Sequence, residues 1–244
     1  MRSSGWRPFL ALAGALILPA GLRAQEGFMF RQPAVQLSLR FGQALPRASG
    51  AVYDDMRDRL TLDTGDFAAE AFAADIMVRT TPGLDVGGGF QWSQSAAESE
   101  FRDFLYENDD PIQQTTRLRR AALSALVRVY PLGRGESLAQ FAWVPKRFTP
   151  FVGGGAGVLW YRLRQNGDFV NETNFDIFSS VYESNGSALA GQLLAGADYW
   201  VTPAIALTAE GRYTMASDEP GGDFEYSNVD LSGLQLTAGL SFRF

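Results

Sequence analysis

The amino-acid sequence predicts an all-β protein: a membrane-spanning, antiparallel, up-and-down β-barrel of about eight strands. Three observations predict it. Apolar and polar residues alternate with a period of two, the connections between the alternating segments are long and short in turn, and the chain closes on the aromatic strand GLSFRF. A strand that shows one face to lipid and the other to a lumen has to alternate in this way.

The first 24 residues stand apart. Arg2 and Arg7 precede an apolar stretch from Phe9 to Leu18, followed by Pro19 and small residues. This is the pattern of a secretory signal peptide, with cleavage after Ala24 favoured over Ala20. The apolar run is about ten residues, half of what a spanning helix needs. The expected organisation is a signal peptide over 1–24, an N-terminal periplasmic segment over 25–33 and a barrel over 34–244.

The strands follow in order. Val35, Leu37, Leu39 and Phe41 alternate with Gln36, Ser38 and Arg40 in the first. In the second, Phe72, Ala74, Ile76 and Val78 oppose Asp75, Met77 and Arg79, and a Pro-Gly turn over Thr80–Gly83 leads into the third. There Leu84, Val86, Phe90 and Trp92 oppose Asp85, Gly87, Gly89 and Gln91. The fourth covers about Arg117 to Tyr130, with Leu123, Ala125, Val127 and Val129 outward and Arg120, Ser124 and Arg128 inward. An alanine-rich helix over Arg119–Val129 competes, but the polar residues fit the two-residue period better.

The fifth strand, Thr149–Arg164, is so rich in glycine that its outward face stays open. The sixth sets Leu193, Ala195, Ala197 and Tyr199 against Gln192, Gly196 and Asp198, and Thr202-Pro203 turns it into the seventh. The seventh has Ile205, Leu207, Ala209 and Tyr213 opposite Thr208, Glu210 and Arg212. The eighth has Leu234, Leu236, Ala238, Leu240, Phe242 and Phe244 opposite Gln235, Thr237, Gly239, Ser241 and Arg243. Pro131–Phe148 is long where a short turn is expected. It is either a periplasmic excursion with a short helix or a strand pair that raises the count to ten.

Composition removes several chemistries. There is no cysteine and no histidine, hence no disulfide, no thiolate metal site and no imidazole base. Without Arg2, Arg7 and Arg23 the mature chain keeps 18 basic residues against 27 acidic ones, which disfavours nucleic acid. No cofactor, catalytic residue or dedicated metal site is expected.

The inward faces collect a candidate lumen charge network: Arg40, Asp75, Arg79, Asp85, Arg120, Arg128, Asp198, Glu210, Arg212 and Arg243. Charges in a narrow bore must pair or stay hydrated, because an isolated one costs several kcal/mol. A salt-bridge network filling the barrel is the plain reading. A selectivity lining needs a continuous water path, which eight strands rarely leave. Asp198 and Glu210 could also be read as a hydrolytic carboxylate pair, but nothing in the sequence supplies a cleft for it.

Gly153, Gly154, Gly155 and Gly157 lack the Gly-Lys-Ser or Gly-Lys-Thr of a phosphate loop and read as close packing within a curved strand. Trp92, Trp160, Tyr161, Tyr199, Trp200 and Tyr213 fall near strand ends, where aromatic girdles sit. Three long connections, Gln94–Thr116, Gln165–Gly186 and Thr214–Asp230, hold fifteen acidic residues and one basic residue, Arg102. Such loops, converging on one rim, are expected to bind divalent cations weakly, with no EF-hand spacing.

Three passages resemble one family. GLSFRF with its terminal Phe244, the proline- and glycine-rich TPFVGGGAGVLWYRL, and the hairpin GADYWVTPAIALTAEGRYT are similar to the outer-membrane protein β-barrel domain family, the group of small OmpA-, OmpX-, OmpW- and opacity-type barrels. The resemblance implies an outer-membrane location in a Gram-negative envelope, with outer-membrane lipid and lipopolysaccharide as surroundings. It also implies recognition of Phe242 and Phe244 by the barrel-assembly machinery. For function it implies a non-enzymatic structural or surface-interaction role or, through the OmpW-type likeness, a narrow channel for small or hydrophobic solutes. Barrel enzymes that act on lipid A use a catalytic histidine that this chain lacks. No peptidoglycan-binding domain is expected after Phe244.

Overall fold

The computed structural model describes residues 29–139, 142–171, 173–219 and 228–244. The expected signal peptide over 1–24 lies outside the described residues, as do residues 25–28 of the 25–33 segment. Eight strands close into a barrel: β1 (Val35–Pro46), β2 (Ala69–Thr81), β3 (Leu84–Leu105), β4 (Pro111–Val129), β5 (Phe148–Val170), β6 (Ile177–Trp200), β7 (Ile205–Met215) and β8 (Gly233–Arg243). Every strand pairs antiparallel with its sequence neighbours, and β1 joins β8 to close the ring. At the seam Phe244 and Val35 exchange both backbone hydrogen bonds at 3.0 Å.

The faces are inverted relative to a water-soluble protein. Arg40, Arg128 and Arg212 are among the largest fully buried side chains, while Ile76, Leu123, Val152, Leu189, Leu193, Leu207 and Leu236 are exposed on the outer wall. An apolar wall around a polar interior is stable in hydrocarbon, and closure leaves no unpaired strand edge there. Short turns over 82–83 and 201–204, together with both barrel termini, mark the periplasmic end.

The strand count is eight rather than ten. Pro131–Phe148 carries a small hairpin, Gly135–Ala139 against Ala142–Pro145, that lies outside the barrel sheet, with no helix among the described residues. Trp143 ties it to the N-terminal segment through paired backbone bonds with Met29 at 2.9 Å.

Two of the three acidic connections are mostly strand. β3 to β6 run 22, 19, 23 and 24 residues, roughly twice the length that spans a membrane. Their surplus builds two extracellular hairpins that turn at 106–110 and 171–176. Apolar residues such as Phe101, Phe104, Phe169 and Phe178 are mixed there with Asp, Glu, Ser and Asn on both faces, so the alternation of apolarity that marks the membrane part is lost while the backbone ladder continues.

The first long connection folds into the barrel mouth. Ala51–Arg59 forms a helix, α1, followed by a 3₁₀ turn over Thr64–Phe67. Gly50 starts the helix with φ 102°, in the left-handed region, and a Cβ there would also meet the carbonyl of Asn228. Tyr53, Met56, Leu60, Leu62 and Phe67 pack against Leu118, Ala122, Leu159 and Leu163 of the wall. The Tyr53 and Phe67 rings meet edge to face at 5.2 Å.

Candidate functional site

The centre of the lumen holds five buried charges. Asp75 Oδ2 accepts hydrogen bonds from Arg40, from Arg128 at 2.5 Å and from Arg212 at 2.9 Å. Glu210 Oε1 accepts from Arg40 at 3.0 Å and Arg212 Nε at 2.9 Å, and its Oε2 from Arg128 at 2.7 Å. The pleat causes this meeting. Each residue sits at an inward position of β1, β2, β4 or β7, and the stagger of the barrel brings those positions to one level.

The other expected network members go elsewhere. Asp85 pairs with Arg134 at 2.6 Å, a residue of the periplasmic connection that strand periodicity does not reach. Asp198 joins no arginine; it accepts from Gln36 Nε2 at 3.0 Å and Thr208 Oγ1 at 2.6 Å. Arg243 has aromatic rather than acidic partners, with its guanidinium 3.4 Å from the Trp200 ring centroid and 4.9 Å from that of Trp143. Arg120 donates to Ser93 Oγ and the Leu231 carbonyl beneath the plug. Arg79 is half-buried at the turn end of β2 and joins no ion pair among the described residues. The charges thus divide into a central cluster and separate periplasmic and extracellular contacts. Phe242 and Phe244 lie on the outer wall at the end of β8, with Phe244 62% exposed.

Above and below the cluster the bore is filled. Gln91 accepts from Gln192 at 2.6 Å and donates to Gln235 at 2.7 Å, forming a layer across the lumen. On the periplasmic side Met77, Leu126, Tyr130, Phe151 and Leu194 form an apolar layer. The open question of β5 is thereby answered: Phe151, Gly153, Gly155, Gly157, Leu159 and Tyr161 face inward. Neighbouring side chains occupy the space beside these glycines. Cβ atoms at Gly155 and Gly157 would sit 2.6 Å from Leu126 Cδ2 and 2.7 Å from Ser124 Oγ.

A barrel with an apolar wall, buried ion pairs and no free strand edge admits one description. The architecture is that of a small outer-membrane barrel. Solved structures of outer-membrane proteins are similar to the chain at low sequence identity. The outer membrane protein OprG from Pseudomonas aeruginosa matches at 13% identity and TM-score 0.49, over 88% of this chain and 98% of that one. Neisserial surface protein A matches at 14% and 0.44, over 86% and 97%. The outer membrane protease OmpT from Escherichia coli matches at 11% and 0.39, over 91% and 99%. At such identities the likeness concerns the fold alone. No family model and no curated protein sequence matches the chain.

Among the described residues the extracellular carboxylates are spread along the hairpins. Among the described residues no three acidic side chains gather to hold a metal ion. Asp168 accepts from Tyr106 at 2.5 Å and from Ser179, Asp218 from Tyr161 at 2.9 Å, and Asp230 from Ser49 at 2.5 Å. Glu172, Asp223 and Glu225 lie outside the described residues. Among the described residues the long hairpins spread the acidic side chains along their length, and local hydroxyls donate to individual carboxylates. Outside the spanning strands, burial pushes the Tyr53 phenol up to about 12. Asp230 is held below the usual range: burial opposes this, but hydrogen bonds from Ser232 and Ser49, with Arg47 nearby, outweigh it.

Proposed function

We propose that this chain is a closed, non-enzymatic barrel of the outer membrane, with a structural or surface-interaction role carried by its extended hairpins. One observation supports the reading most: the bore is obstructed twice, by the arginine–carboxylate cluster and by the apolar plug of α1. The carboxylates that could do acid–base work are engaged, since Asp75 and Glu210 are paired with arginine and Asp198 accepts from Gln36 and Thr208. The hairpins project well beyond the apolar wall and are the natural place for contact with other molecules. Protease treatment of intact cells tests this. Cleavage confined to the tips at 106–110 and 171–176 is expected, and full protection of both tips in cells would overturn it.

A second reading, capture of small apolar solutes at the mouth, is favoured by one feature. A cavity of about 230 Å³ lies between α1 and the β5–β6 hairpin, lined by Met56, Leu60, Phe101, Phe169, Phe178 and Tyr182. Saturable binding of an apolar fluorophore that is lost on Phe169→Ser would favour it, and binding unchanged in that variant would exclude it.

A further inference from the structure

Four arginines form two rungs on the outer wall of β4 and β5. Arg117 stands directly opposite Arg164 and Arg119 directly opposite Arg162. All four are exposed, and with Gln94 they line a cleft of about 110 Å³. Like charges facing one another across a strand pair destabilise the sheet. The protein relieves only part of this repulsion. Arg119 Nε donates to Gln94 Oε1 at 3.0 Å, and Arg162 pairs with Glu183 at 3.1 Å. Arg117 and Arg164 join no ion pair among the described residues.

The patch has a definite height on the wall. The outward row beneath it is Trp92, Ala121 and Trp160, in register across β3, β4 and β5. Below that row the apolar surface continues through Leu123, Val127, Val129 and Val152. Indole rings favour the membrane–water boundary. The first arginine rung lies two residues beyond it, about 7 Å along the strand, on the side away from the short turns. That is the headgroup zone of the outer leaflet.

We infer that Arg117, Arg119, Arg162 and Arg164 bind the phosphate groups of lipopolysaccharide, the anionic glycolipid of that leaflet. This rests on reading the chain as an outer-membrane barrel. A guanidinium offers a planar fork matched to phosphate oxygens, and the phosphates supply the counter-charge that the opposed arginine pairs need. Membrane lipid is favoured over a soluble polyanion. The chain carries a net charge of −6, with acidic extracellular connections that repel anions arriving from solution, whereas a headgroup in the membrane plane meets the patch from the side.

The test uses the full mature chain, folded in neutral detergent, with retained lipid counted by native mass spectrometry. Diphosphoryl lipid A, fully dephosphorylated lipid A, excess inorganic phosphate and a heparin fragment are the probes. The variants are Arg117→Gln/Arg164→Gln and, as a charge-matched control, Arg31→Gln/Arg47→Gln. Retention of diphosphoryl lipid A by wild type and control, falling about tenfold or more in the first double variant, is expected. Equal retention of the two lipids, or no loss in the variant, overturns the inference. Displacement of lipid A by phosphate or by heparin at comparable concentration overturns the choice of membrane lipid. A heat-shifted band on a gel confirms that each variant is folded. A wild type that shows no such band overturns the barrel reading, and the patch with it.

Discussion

Arg128 Nη2 donates to Glu210 Oε2 at 2.7 Å, and this bond joins β4 to β7, two strands separated in the sheet by β5 and β6. It crosses the lumen. Asp75 on β2 and Arg212 on β7 do the same at 2.9 Å. The cluster therefore braces the barrel across its diameter, which the backbone ladder around the circumference cannot do. It holds three guanidiniums and two carboxylates, so each carboxylate neutralises more than one neighbour. Removing one leaves several cations facing each other at low dielectric.

Glu210→Leu is therefore expected to destabilise the barrel by roughly 3 kcal/mol, the scale for breaking a buried ion pair from one side. Asp198→Asn should cost less, about 1 kcal/mol, because its partners are neutral and an amide oxygen keeps one acceptor. Urea unfolding in lipid vesicles measures both. A Glu210→Leu curve that overlays wild type would show that the cluster contributes no stability.

Neighbouring glycines on β3 give a second comparison. A Cβ at Gly89 would come within 3.2 Å of Arg212 Nη1 and closer still to Asp75 Oδ1 and Leu126, whereas at Gly88 the nearest atom is 3.8 Å away. Gly89→Ala should cost about 1–3 kcal/mol by overpacking the bore, and Gly88→Ala should be nearly neutral. Equal effects would mean that the lumen is loosely filled.

Much of this was legible in the sequence. A period of two sorted Arg40, Asp75, Arg128, Glu210 and Arg212 onto one face, because side chains on a strand alternate whatever the register. Which of them would meet was not legible. Stagger decides that, and it separates Asp198 from the arginines while bringing Arg134 in from a connection. The plug was missed for a different reason. Among the residues of α1 only Val52, Tyr53 and Met56 are buried, too few in a nine-residue helix to stand out as an amphipathic pattern. The hairpin extensions read as loops in the sequence because apolar and polar residues share both of their faces.

Acid is expected to loosen plug docking through Asp230, which accepts from Ser49 beside α1. Its pKa is depressed in the folded state, so its contribution is complete above the ordinary aspartate value of about 4 and is lost as pH falls through the lower folded value. Pepsin cleavage within the plug, at Tyr53, Leu60 or Leu62, should accelerate over that acid range. Asp230→Asn should abolish the pH dependence. A flat profile in wild type would place the plug's stability in its apolar contacts alone.

The final prediction concerns conduction. Eight strands enclose a bore about as wide as the side chains that fill it, and here the filling is specific: the Met77–Leu126–Phe151–Leu194 layer, the cluster and the glutamine layer lie in series below the plug. Wild type in planar bilayers should show no large, stable conductance steps. Replacing Ala51–Phe67 by a flexible Gly/Ser linker removes only the outermost barrier, so that variant should also remain nearly silent. The inward glycines of β3 and β5 are the places where this could fail, since each lacks a side chain to fill its share of the bore. Their space is taken by Leu126, Leu194 and Asp75 reaching in from neighbouring strands. Gly89→Leu then has no pore to narrow, and its traces should match wild type. Large steps in wild type that shrink in Gly89→Leu would show that the bore is open, and the channel reading would replace the closed one.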